Sequence, residues 1–135
     1  MSNNTQGQIT VHNVNAIGTV TADKHLYCGR SKTPKGLINA NLGNPHPVGA
    51  PCPYCRAPHQ RGAAIGAYDD QLTRDPDHPH HKIIRLIGLR VHQGFNMALY
   101  CHCDPRPCHC DVIKRRALNE ASKLASLASD SPQTL

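Results

Sequence analysis

The ten residues Cys101-His-Cys-Asp-Pro-Arg-Pro-Cys-His-Cys110 carry four of the chain's seven cysteines and two of its ten histidines. Pro105 and Pro107 let no regular element run through this stretch. Whatever precedes it must end there, and whatever follows must start there. Asn96-Met-Ala-Leu99 before it is short and apolar, and Lys114 to Ser129 after it has helical periodicity. The expected local structure is therefore strand, tight loop, helix. Alternation puts Leu99, Cys101 and Cys103 on one face of the strand, with Tyr100 and His102 on the other. Cys108, His109, Cys110 and Asp111 fall where the helix begins. Free backbone N–H groups and the positive end of the helix dipole make that position suited to anions. In open α/β sheets, ligands also bind at the carboxyl ends of strands.

A chain of 135 residues makes one domain with a core of its own. With no Trp and one Phe, aliphatic side chains must fill that core. The net charge of +6, histidines neutral, favours anionic partners such as nucleotides or nucleic acid. The chain carries no secretory signal and no apolar run of about 18 residues, so we expect a cytoplasmic protein without membrane contact. In a reducing compartment, cysteines at this density argue for metal or thiol chemistry over disulfides. Some would also serve as small buried hydrophobes, a reading that suits Cys28 best. No sequence feature sets an oligomeric state.

Taken in order, Met1 to Gly7 is polar and is expected to be mobile. Ile9 to Val14 alternates as a strand does, and Ala16 to Ala22 reads as its extended continuation. His25 to Cys28 is a second strand, ended by Gly29-Arg30. Ser31 to Leu42 reads as an exposed basic loop, and Gly43-Asn44-Pro45 as a turn. The proline-rich segment 46–60 has no hydrophobic period and reads as a Cys/His-rich insertion. Ala64, Ile65, Tyr68 and Leu72 recur at helical spacing, and Asp75-Pro76 ends that helix. A second helix over His80 to His92 buries Ile83, Ile84, Ile87 and Val91 and places Gly94 just past its end. The last helix buries Val112, Ile113, Ala117, Ala121 and Leu124. Residues 1–24 thus form an N-terminal segment with the first strand, 25–129 a single α/β domain, and 130–135 a tail.

Two groups of residues carry potential chemistry. Cys52, Cys55 and His59 have the C-x2-C-x3-H spacing of a zinc site, with His46 or a thiolate from the 101–110 stretch available as the fourth ligand. A redox pair is disfavoured, because this C-x-x-C opens no helix. In the second group, Cys101 and Cys103 share a strand face and, with Cys108 and Cys110, can hold zinc or another soft metal. A reactive thiolate at Cys108 or Cys110 is the competing reading, since a helix N-terminus and the charge of Arg106 both lower a thiol pKa. His109 and Asp111 would then be general base and orienting group; otherwise they are a phosphate donor and a carboxylate that starts the helix. Arg30, at a strand end, is either a phosphate anchor or a surface charge.

These residues occur in a recognisable order. Tyr27-Cys28-Gly29-Arg30, Gly43-Asn44-Pro45, Ala67-Tyr68 with Leu72, Leu99-Tyr100-Cys101-His102-Cys103 and Cys108-His109-Cys110-Asp111-Val112-Ile113 resemble the ordered motifs of the family catalogued as domain of unknown function 4326. The resemblance spans roughly residues 25–118 and implies a small phage or bacterial protein whose reaction is not settled. His102, His46 and Cys110 replace residues more usual in that family, and each adds a possible metal ligand. The expected architecture is a three-layer, Rossmann-like α/β domain with a short, mainly parallel sheet. Arg30, Asn44, His109 and Asp111 would meet at one end of that sheet, with Cys108 beside them. The leading function is binding or processing of a nucleotide or nucleic-acid base. Its rivals are a non-catalytic, zinc-stabilised module for nucleic acid or a host protein, and a structural phage component.

Overall fold

The computed structural model describes residues 6–30, 32–43, 61–101 and 108–130. Strands β1 (Ile9–Asn13), β2 (Lys24–Tyr27), β3 (Ile38–Asn39) and β4 (Met97–Cys101) form one sheet in the order β1-β4-β2-β3. Every pairing is parallel. Helices α1 (Arg61–Arg74) and α2 (His80–His92) lie between β3 and β4, and α3 (His109–Asp130) follows β4. This is the expected α/β class with a parallel sheet.

β4 is central, and all five of its residues, Met-Ala-Leu-Tyr-Cys, are buried, as a strand covered on both faces requires. Asn96 aligns the strand starts. Its side-chain carbonyl accepts the Gln8 N–H, its main-chain carbonyl accepts from Asp23 and Lys24, and its own N–H donates to the Asp23 carboxylate. Ile9, Cys28, Met97, Leu99 and Cys101 share one cluster with Tyr68 and Leu72 of α1, Ile84, Ile87 and Val91 of α2, and Ile113, Ala117 and Ala121 of α3. α2 and α3 therefore pack on the Leu99 face of the sheet, and α1 packs against α3. On the opposite face the Tyr100 hydroxyl is hydrogen-bonded with His25 Nδ1 at 2.9 Å, and the His12 ring lies 5.5 Å from the tyrosine ring.

The helix ends follow local chemistry. Gly94 takes φ 98° just after α2. Its N–H reaches Val91 O, and the Phe95 N–H reaches Arg90 O, which together make a Schellman cap. α2 and α3 approach closely at Gly88, where a Cβ would stand 2.7 Å from Ala117 O. α1 is tied to α3 by Asp69, which pairs with Arg115 and Arg116 at 2.6 and 2.7 Å.

Three expectations fail. The segment read as an exposed loop over 31–42 contains β3, paired through Leu26–Ile38 and Tyr27–Asn39; two residues are too few to leave a periodic signal. Ala16 to Ala22 is not an extended continuation of the first strand: Val14–Ala16 is a 3-10 turn, started where the Asn13 side chain accepts the Asn15 N–H, and Gly18 follows at φ 90°. Gly7, placed in a mobile leader, is buried and donates to Val91 O at 2.8 Å.

Candidate metal centre

The carboxyl end of β4 and the start of α3 meet in the core. Cys101 is the last residue of β4, and Cys108 is the residue before α3. The Sγ atoms of Cys101, Cys108 and Cys110 lie within 4.8 Å of one another. None of the three residues is more than 2% exposed. Four thiolates around a tetrahedral Zn²⁺ stand about 3.8 Å apart, from Zn–S bonds of about 2.3 Å. A small contraction of the trio would therefore seat an ion, and thiolate is the donor that zinc and other soft metals prefer.

Local structure places these thiols with little freedom. Cys108 caps α3: the Cys110 N–H points at its Sγ at 3.5 Å, and its own N–H donates to Asp111 Oδ2 at 3.1 Å. This is a capping box with sulfur in place of a hydroxyl. Asp111 is solvent-exposed and serves the helix start. Hydrogen bonding with Cys101 is the largest cause that pushes the Cys108 and Cys110 thiols up, and burial adds to it. Without a metal these thiols stay protonated, the opposite of what an activated nucleophile needs.

His109 lies between the two α3 thiols and is 8% exposed. Its Nε2–H donates to two carbonyls at 2.8 Å each, Cys28 O at the end of β2 and Leu42 O after β3. Those acceptors fix the tautomer, and Nδ1 is left 3.5 Å from Cys108 Sγ. Burial is the main cause that pulls its pKa below the usual range. The Leu42 carbonyl arrives through an Asx turn, in which Asn39 Oδ1 accepts the Asn41 N–H and Asn41 adopts φ 57°. Tyr68 packs edge-on against His109 with ring centroids 5.5 Å apart, and its hydroxyl is hydrogen-bonded with His80 Nδ1 at 2.7 Å.

Arg30 is exposed just beyond β2, with its stem beside Gly43, where a Cβ would meet Arg30 Cγ at 2.5 Å. Its positive charge is among those that depress the His109 pKa. Arg30, Cys108, His109 and Asp111 thus gather at one end of the sheet. Asn44, Arg106, Cys103, His46, Cys52, Cys55 and His59 lie outside the described residues.

Cys28, expected as a small buried hydrophobe, is buried as expected. It is fully buried in the same cluster as the other three thiols. A signal for it exists: Leu26-Tyr-Cys28 and Leu99-Tyr-Cys101 are the same tripeptide. The sheet pairs them in parallel, Leu26 with Leu99 and Tyr27 with Tyr100. Among the described residues no helix is long and apolar enough to cross a membrane. The family model described as Domain of unknown function (DUF4326) matches residues 11–119. No curated protein and no solved structure matches the chain significantly.

Proposed function

We propose, from the premise that the chain belongs to the Domain of unknown function (DUF4326) family, that it is a zinc-stabilised α/β binding module. One observation carries this reading: three buried Sγ atoms, from Cys101, Cys108 and Cys110, lie within 4.8 Å of one another. A metal there would join the end of the central strand to the start of α3, and its binding energy would be folding energy. The His109 bonds to Cys28 O and Leu42 O support a structural role for the residue between the ligands. The ligand is an anion of the nucleotide or nucleic-acid type. The net charge of +6 and the exposed Arg30 at the carboxyl end of β2 support it. A catalytic use of Cys108, His109 and Asp111 is the second reading, favoured by their nearness to Arg30.

The test is elemental analysis of protein purified without chelator, beside binding of a single-stranded oligonucleotide across a salt series. We expect at least one zinc per chain, lost on replacing Cys101 and Cys108 by Ser. Log affinity should fall linearly with log salt, and more weakly in Arg30→Ala. A second zinc would belong to Cys52, Cys55 and His59. Folded protein without stoichiometric metal overturns the zinc reading, and no oligonucleotide binding at low salt overturns the partner.

A further inference from the structure

We infer that Cys28 is the fourth ligand of the metal site, which makes it a closed tetrathiolate of Cys28, Cys101, Cys108 and Cys110. The inference rests on the zinc reading above and says what kind of zinc site it is.

The sheet supplies the first argument. The Cys28 N–H donates to Tyr100 O at 3.0 Å, one step beyond the Tyr27–Tyr100 pair. Cys28 therefore stands beside Cys101 on the adjacent parallel strand. Alternation turns both side chains toward the helices, and both belong to the buried cluster that contains Cys108 and Cys110. The trio whose Sγ atoms lie within 4.8 Å of one another does not include Cys28, so closing the site asks the Cys28 thiol to draw in toward the other three. Four thiols, one just past β2, one at the end of β4 and two at the start of α3, thus belong to one buried cluster, and each is 0–2% exposed.

The second argument is how Cys28 is held. Its N–H is bound by Tyr100, and its carbonyl accepts from Nε2 of His109, the residue between two of the other ligands. Histidine here acts on the backbone of one ligand from within the loop of two others, as outer partners of a metal site do. The tetrathiolate would carry a net charge of −2, from four thiolates and Zn²⁺. The positive end of α3 faces it, and the Cys110 N–H already points at Cys108 Sγ. A site with four protein thiolates offers no position for water or substrate. The metal would then hold the fold, and any chemistry would have to occur elsewhere.

The chain has seven cysteines, so three substitutions isolate these four. The full chain carrying Cys52→Ser, Cys55→Ser and Cys103→Ser is loaded with Zn²⁺ alone and read by X-ray absorption at the zinc edge. We expect one zinc per chain with four sulfurs at about 2.3 Å, and three sulfurs plus one lighter atom once Cys28→Ser is added. Three or fewer sulfurs in the triple variant overturns the inference, as does a count that Cys28→Ser leaves unchanged. If Cys28→Ser does not fold, the triple variant still decides, because its only thiols are the four named. Failure of the zinc reading looks different: the triple variant then binds no zinc at all.

Discussion

A single imidazole joins three parts of the chain that the sequence keeps far apart. The His109 Nε2–H satisfies Cys28 O and Leu42 O from inside the core. His109→Phe keeps a ring against Tyr68 but strands both carbonyls, at about 1–3 kcal/mol. For a domain of this size that is a melting temperature lower by about 3–15 °C. Asp111→Asn, at an exposed helix-start carboxylate, should cost about 0.5–1 kcal/mol, roughly 2–5 °C. Thermal melts of both variants check the order, and a His109→Phe melt within about 2 °C of the parent would remove the clamp. The sequence made His109 and Asp111 stand out as a pair, because Cys-His-Cys-Asp is dense in chemistry. Their different surroundings were not legible, because the carbonyls that hold His109 are main-chain atoms of residues 28 and 42. The place of Cys28 beside Cys101 is not legible for a similar reason: it follows only once Leu-Tyr-Cys is laid against Leu-Tyr-Cys in the sheet.

At the scale of elements, β1, β2, β4 and the three helices follow from period and punctuation, and β3 does not. Ile83, Ile84, Ile87 and Val91 mark the inner side of α2 by themselves, whereas Ile38-Asn39 gains its strand character only from β2 beside it. Glycines inside helices are likewise opaque in sequence, since the same residue can be a weakness or a fit. Gly66 on α1 is exposed, and a Cβ there would meet nothing within 4 Å. Gly88 on α2 is buried, and a Cβ there would stand 2.7 Å from Ala117 O and 2.8 Å from Glu120 Cβ on α3. Gly66→Ala should therefore stabilise by about 0.5–1 kcal/mol through chain entropy. Gly88→Ala gains the same helix propensity but forces α2 off α3, and overpacking of that kind costs about 1–3 kcal/mol. Chemical denaturation of the two variants should give opposite signs. Equal signs would mean that the α2–α3 contact yields to an added methyl.

Across the whole molecule, acid should act through buried histidine as well as through metal ligands. His80 sits behind Tyr68, which is itself packed on His109. Burial is the first cause that lowers the His80 pKa to about 4, and the neighbouring charges of His78, His109 and His81 add to it. Tyr68, whose pKa burial pushes up, stays protonated and shares a hydrogen bond with Nδ1 of the neutral ring. The unfolded chain takes up a proton at His80 near the ordinary value of about 6.5, whereas the folded chain does so only near 4. Between those values the unfolded state binds more protons, so this group's contribution to stability falls as pH is lowered from about 6.5 to 4 and is constant below that. Thiolate ligands are protonated in the same direction, so the parent alone does not isolate the histidine. His80→Gln removes the titration and leaves the four thiols in place. Its melting temperature should lie below the parent's at pH 7.5, where the Tyr68 bond is lost, and the gap should narrow steadily toward pH 4.5. Melts of both proteins at matched zinc, taken every half unit, measure that gap. A gap that stays constant across the range would mean that His80 is not held neutral by the fold.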